Sequence, residues 1–188
     1  PNLKGVRKQA GDFAKGQMES LLDSGEILGG IVEHWKKLAA GKKTIGFAIS
    51  VHHSGHIVQA FQAAGVRAAH LDAKSSKDSR RRTLQDFARG EIEVLFNVDL
   101  FGEGFDLAAN SGMDCTVEAV ILARPTASVS LHLQQVGRAL RPKDEPAIIL
   151  DHAGNLLRHG LPDDDRTWTP ADQEVKETET GPKQCPSC

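Results

Sequence analysis

Short, almost uninterrupted apolar runs punctuate the middle of the chain: Thr44–Val51 (TIGFAISV), Val94–Val98 (VLFNV), Ala119–Leu122 (AVIL) and Ala147–Leu150 (AIIL). A strand with one wet face alternates apolar and polar residues, so unbroken runs ask for burial on both faces, as inside a parallel sheet. Val66–Leu71 is a further strand candidate. Between the runs the period turns helical. Ser54 can cap a helix running to about Ala64, with Gly65 closing it; Ser76–Phe87 forms a basic amphipathic helix closed by Gly90; Ser128–Leu140 is helical. Strands alternating with helices predict a three-layer α/β domain with a mainly parallel sheet over residues 44–158.

The flanks differ. Ile27, Leu28, Ile31, Val32, Trp35 and Leu38 recur at three- and four-residue spacing, an amphipathic helix that Gly41 ends. Ahead of it Gly5, Gly11, Gly16 and Gly25 leave a broken or loosely helical stretch, so residues 1–43 read as a helical N-terminal extension. Residues 159–188 are dense in Pro, Asp and Glu and are expected to form a mobile acidic tail. The 188 residues are 39% hydrophobic and 26% charged, and no apolar run is long enough for a membrane span. Nothing in Pro1–Gly5 reads as a secretion signal. A net charge of -2 argues against a polybasic binder, and three cysteines exclude a disulfide scaffold and point to a cytoplasmic setting.

Two segments carry chemistry. In Gln134-Gln135-Val136-Gly137-Arg138-Ala139-Leu140-Arg141, Gln134, Arg138 and Arg141 fall three or four apart on one predicted helix face. Two forked guanidiniums beside an amide suit a polyphosphate; two solvated arginines on an ordinary helix are the plainer reading. Asp99-Leu100-Phe101-Gly102-Glu103-Gly104-Phe105-Asp106 directly follows a strand, where ligands sit in open α/β sheets. Its glycines would let backbone amides approach a phosphate, and Asp106 could accept from a ribose hydroxyl; a Gly-rich turn capped by Asp106 is the alternative.

In this order the segments resemble the C-terminal RecA-like lobe of superfamily 2 DEAD/DEAH-type helicases and translocases. Thr44–Val51 resembles motif IV, Asp99–Asp106 motif V, and Gln134–Arg141 the motif VI pattern QxxGRxxR; Arg80-Arg81-Arg82, Leu84, Phe87 and Gly90 resemble the intervening stretch. The finer likeness is to DEAH-like, DNA-directed bacterial and phage proteins and restriction-enzyme motor subunits. The resemblance implies that ATP, with Mg2+, binds between two such lobes. Arg138 and Arg141 would act as arginine fingers on the γ-phosphate, Arg141 the more direct, and Gln134 would position water or phosphate. Gly102, Glu103, Gly104 and Asp106 would lie at the nucleoside. Ser50, His52, Lys74, Asn97 and Asp99 would follow the phosphates of a nucleic-acid strand, expected to be DNA. Val98-Asp99 stands where motif V often has Thr-Asp, so Asn97 is the substitute for the missing hydroxyl, and Glu103 replaces the basic residue of the DEAD-box version.

The chain has no GxxxxGK[ST], and Asp144-Glu145, after motif VI, reads as a surface turn. Phosphate loop and metal-binding carboxylates are therefore expected from an N-terminal RecA-like lobe upstream of Pro1, the principal partner, and the isolated chain is expected to bind no cofactor and hydrolyse nothing. A non-catalytic RecA-like module that binds protein or nucleic acid is the competing reading. No complete metal site is expected. Cys185 and Cys188 form one CxxC, half of a zinc ribbon whose other pair would lie beyond residue 188, or a chance pair. His52, His53 and His56 cluster after the first run; a plain loop and a place near nucleic acid are the readings ahead of a metal site, against which counts the lack of a Cys or carboxylate nearby in sequence.

Overall fold

The computed structural model describes residues 6–9, 12–100 and 107–166. An antiparallel ribbon, β1 (Lys8–Gln9) and β2 (Asp12–Phe13), leads into helices α1 (Lys15–Leu22) and α2 (Gly25–Leu38). Then strands and helices alternate: β3 (Thr44–Phe47), α3 (Val51–Ala63), β4 (Ala68–Leu71), α4 (Lys77–Arg89), β5 (Val94–Asn97), α5 (Leu107–Ser111), β6 (Ala119–Leu122), α6 (Val129–Gly137), β7 (Ile148–Asp151) and α7 (Asn155–His159). The sheet has the order β4-β5-β3-β6-β7, every neighbouring pair parallel, as the buried apolar runs require.

Several boundaries differ from the sequence reading. The first run stops being a strand at Phe47, because Ser50 turns extended and its Oγ accepts from the His53 amide at 3.0 Å, starting α3 at Val51. Ser50 is thus the cap, and Ser54 is buried inside the helix; His52, His53 and His56 lie on that helix and not in a loop. α6 ends at Gly137, with Arg138 as its C-cap. Ala139 and Leu140 donate to the carbonyls of Val136 and Gly137, three residues back, so the helix tightens and Arg141 lies beyond it. The shared helical face expected for Arg138 and Arg141 is therefore absent. The ribbon, α5 and α7 were not expected; each is too short to show a period. The expected tail begins with described residues: the Arg166 guanidinium donates to the carbonyls of His159 at 3.0 Å and Leu161 at 2.6 Å.

The strands' two faces feed two cores. On one, Val94, Phe96, Ala119 and Ile121 meet Ile31 and Trp35 of α2 and Ile57 and Phe61 of α3. On the other, Ile45, Phe47, Leu95, Val120 and Leu122 meet Leu84 and Phe87 of α4 and Val136 of α6. Helix α2 is fastened to the central strand by Trp35, whose Nε1 donates to Thr44 Oγ1 at 2.7 Å, while that hydroxyl donates to the Lys42 carbonyl at 2.8 Å. Both groups are buried, so the pair satisfies polar atoms that would otherwise be stranded. Gly46 is the remaining adjustment: the Phe96 ring occupies the space where a Cβ on residue 46 would stand. Gly46→Ala should therefore overpack the core, costing about 1–3 kcal/mol, read as a lower urea midpoint at unchanged slope.

Candidate functional site

Going from β3 to β4 and β5 the chain builds one side of the sheet, and from β5 it crosses to β6 on the other side of β3. At such a reversal the carboxyl ends of neighbouring strands part and leave a crevice. There the structure has a cleft of about 130 Å³, bounded by Phe47 at the end of β3 and Ala48 after it, Asn97 at the end of β5 and Asp99 after it, Arg124 after β6, and Leu131 and Gln135 of α6.

Three polar side chains of the cleft lining, Asn97, Arg124 and Gln135, are buried. Asn97 is 1% exposed, and its Nδ2 donates to the Gly46 carbonyl at 2.9 Å, tying β5 to β3. Gln135 is 2% exposed, and among the described residues neither its Oε1 nor the Arg124 Nε has a hydrogen-bond partner. Such atoms are rare in native interiors. The remaining Arg124 nitrogens donate to Asp99 and, at 3.1 Å, to Asp12 of β2. Asp12 also accepts from the Ala127 amide at 2.8 Å, and Lys15 of α1 pairs with Asp99. Asp99 has a φ of 53°, the left-handed region that few non-glycine residues enter. Partial burial works against its ionisation, but the Lys15 hydrogen bond and the Arg124 charge outweigh it and hold the carboxyl below its usual range.

The sequence-derived residues distribute along this edge. Ser50 and His52 open α3, Lys74 is exposed in the turn after β4, and Asn97 and Asp99 end β5, so the carboxyl edge gathers all five. The Lys74 backbone is fixed by Asp72, whose Oδ1 accepts from the Lys74 and Ser75 amides at 2.9 Å. Asn97 and Asp99 face inward partners more than an open groove. Ser50 Oγ donates to Glu19 of α1 at 2.6 Å, and His52 Nδ1 lies 3.1 Å from the same carboxylate oxygen. Gln134 lies on α6, Arg138 at its end and Arg141 exposed beyond it; all three have interactions within the chain. Gly102, Glu103, Gly104, Asp106, Cys185 and Cys188 lie outside the described residues. Sequence reasoning missed Arg124, Gln135, Asp12 and Lys15. Gln135 was inside the quoted motif, but only its place on the inner face of α6 distinguishes it; the others are joined by tertiary packing alone. Cys115 is buried, which pushes its thiol pKa up and suits a structural role.

A five-stranded parallel sheet with helices on both faces and a cleft at its carboxyl edge defines a RecA-like α/β lobe. It superposes on the C-terminal domain of the DEAD-box protein Dbp5 with a TM-score of 0.57 at 16% identity, covering 72% of this chain and 77% of that one. For the Escherichia coli DEAD-box protein SrmB the values are 0.56, 18%, 70% and 75%. The helicase conserved C-terminal domain matches residues 26–143, and the chain belongs to that family. A "51.5 kDa protein" of a Lactococcus phage (isolate 7-9) is 38% identical over 193 aligned residues, covering all of this chain and 41% of that protein. The Saccharomyces cerevisiae "Putative ATP-dependent helicase IRC3" is 32% identical over 143 residues, 74% of this chain and 20% of that protein. The chain thus spans well under half the length of these relatives. Among the described residues no helix is long and apolar enough to cross a membrane.

The Arg124 network sets two expectations. Arg124→Ala leaves Asp12 without its ion pair and Asp99 with Lys15 alone, and should cost about 3 kcal/mol, the low end for a buried pair because Asp99 is half exposed. Because the Asp99 pKa is depressed in the fold, its contribution is present above the ordinary carboxylate range and is lost as pH falls through the folded value. Asp99→Asn should therefore lower stability at neutral pH and flatten its fall in acid, in urea melts across that range.

Proposed function

We propose that this chain is the C-terminal motor lobe of an ATP-dependent superfamily 2 helicase or translocase directed at DNA. The observation that carries the reading is the placement of α6: the helix bearing Gln134 and capped by Arg138 lines, through Leu131 and Gln135, the cleft where the sheet reverses. The family match spans that helix, and the DNA assignment rests on the sequence resemblance to DNA-directed bacterial and phage proteins. The cytoplasmic setting follows from the sparse cysteines.

In this reading ATP is the substrate and sits between this lobe and an N-terminal RecA-like lobe of the same protein, which brings the phosphate loop and the carboxylates that hold Mg2+. The Gln135 and Arg124 side chains form part of the cleft lining. Arg138 and Arg141 supply permanent, forked positive charge, and their separation across the end of α6 lets them approach one phosphate from different backbone directions. Gln134 offers an amide to orient water. Gly102, Glu103, Gly104 and Asp106 take the nucleoside side. The strand of nucleic acid passes over Lys74 and the start of α3 at Ser50 and His52, with Asn97 and Asp99 shaping the floor beneath.

The test uses the complete protein. Arg138→Ala and Arg141→Ala should each cut kcat for DNA-stimulated ATP hydrolysis by about 10³-fold or more while changing KM little, since a finger acts on charge that develops in the transition state. Lys at either position should rescue poorly. The 188-residue chain alone should hydrolyse no ATP. Normal turnover by both Ala variants would overturn the finger roles in favour of a non-catalytic module, and turnover by the chain alone would overturn the need for a second lobe.

A further inference from the structure

Two carboxylates and two imidazoles meet between α1 and α3, away from the cleft. Glu19 and Asp23 are four apart, at the end of α1 and its C-cap; His52 and His56 are four apart on α3. His56 Nδ1 lies 2.8 Å from Asp23 Oδ2, and His52 Nδ1 lies 3.3 Å from that same oxygen and 3.1 Å from Glu19 Oε1. One potential ligand atom from each of Asp23, His52 and His56 falls within 4.8 Å of the others. We propose that Asp23, His52 and His56 bind a divalent transition-metal ion, zinc foremost, that staples α1 to α3.

Three observations support the site. The first is geometric. Ligand atoms about 2.1 Å from a tetrahedral ion lie roughly 3.4 Å apart; the two imidazoles already stand 2.8 and 3.3 Å from Asp23, all three groups fall within 4.8 Å, and histidines four apart on a helix can ligate a single ion. The second is electrostatic. Glu19 and Asp23 repel each other across one helical turn, and Asp23 sits at the helix end where the backbone dipole is also negative. Among the described residues no Lys or Arg forms a salt bridge with either; their ion-pair partners are the two imidazoles. A cation would offset that concentration of negative charge. The third is the surroundings. Ser50 Oγ donates to Glu19 Oε1 at 2.6 Å, so Glu19 is held beside His52 as an outer partner, leaving a fourth position open to water. Two nitrogens and a carboxylate oxygen favour zinc, cobalt or nickel over calcium or magnesium. His53 takes no part: it is buried, and its Nδ1 accepts from the Ile49 amide. Sequence inspection found no carboxylate near these histidines because Glu19 and Asp23 arrive from a different helix.

The experiment titrates Zn2+ calorimetrically, and Co2+ by visible absorption, into the full chain carrying Cys185→Ser and Cys188→Ser, so that the terminal thiols cannot compete. One ion should bind per chain and raise the melting temperature. Asp23→Asn, His52→Gln and His56→Gln should each weaken binding by about a hundredfold or more, and Glu19→Gln by about tenfold. His52 and His56 are surface positions, and an unchanged melt without metal shows that their variants fold. X-ray absorption of the zinc-loaded, otherwise unaltered chain should show two imidazole ligands and no sulfur. Absence of saturable binding, binding that survives the His52→Gln/His56→Gln double variant, or a spectrum without imidazole would overturn the proposal.

Discussion

A guanidinium that ends a central strand of a parallel sheet cannot be left unneutralised, and Arg124 is 8% exposed. Its charge is met by Asp99, beyond the end of β5 on the far side of β3, and by Asp12 from the N-terminal ribbon. Around it the segment between β6 and α6 is tied down on every side. Asn155 donates to the Arg124 carbonyl at 2.9 Å and accepts from the Thr126 amide at 3.0 Å, while Asp12 accepts from Ala127. The segment ends in Ser128, whose hydroxyl caps α6. The direction in which α6 leaves the sheet, and with it the placement of Gln134, Gln135 and Arg138, therefore depends on a buried charge that lies outside that helix.

The same network explains why the N-terminal ribbon belongs with the lobe. Asp12 and Lys15 provide counter-charge at the cleft, while Glu19 and Asp23 cover the start of α3. The acidic side chains of α1 thus rest on the Ser50 and His52 groups assigned to a nucleic-acid backbone, and the basic one on the Asp99 of the cleft. The extension complements the carboxyl edge charge for charge.

Much of the layered fold was legible because doubly buried strands leave a signal that needs no partner to interpret. Val94, Leu95 and Phe96, or Ala119 through Leu122, are apolar on both faces whatever they pack against. Helix limits were less legible. Ser50 and Ser54 are equally good caps on paper, and the choice depends on where the preceding strand runs out of neighbours. The end of α6 was misjudged because apolar spacing continues through Leu140 after the backbone has tightened. The candidate site was legible only where one segment supplies it. Gln134, Arg138 and Arg141 form a local motif, whereas Arg124, Asp12 and Lys15 join through contacts between distant segments, and the Glu19–Asp23–His52–His56 cluster needs two helices to cross.

The central position of β3 also governs the time course by which such a chain acquires its shape. Thr44 is laid down first among the sheet residues, yet its backbone partners are Val94 on one side and Ala119 on the other. During synthesis from the amino end, β3 and then β4 leave the ribosome as apolar segments with no neighbour to bond to. Only when β5 emerges can three strands join, and only β6 closes the other flank. The most aggregation-prone strand of the lobe is thus the one that waits longest, and the early helices α2 and α3, carrying Trp35 and Phe61, are the material on hand to cover it meanwhile.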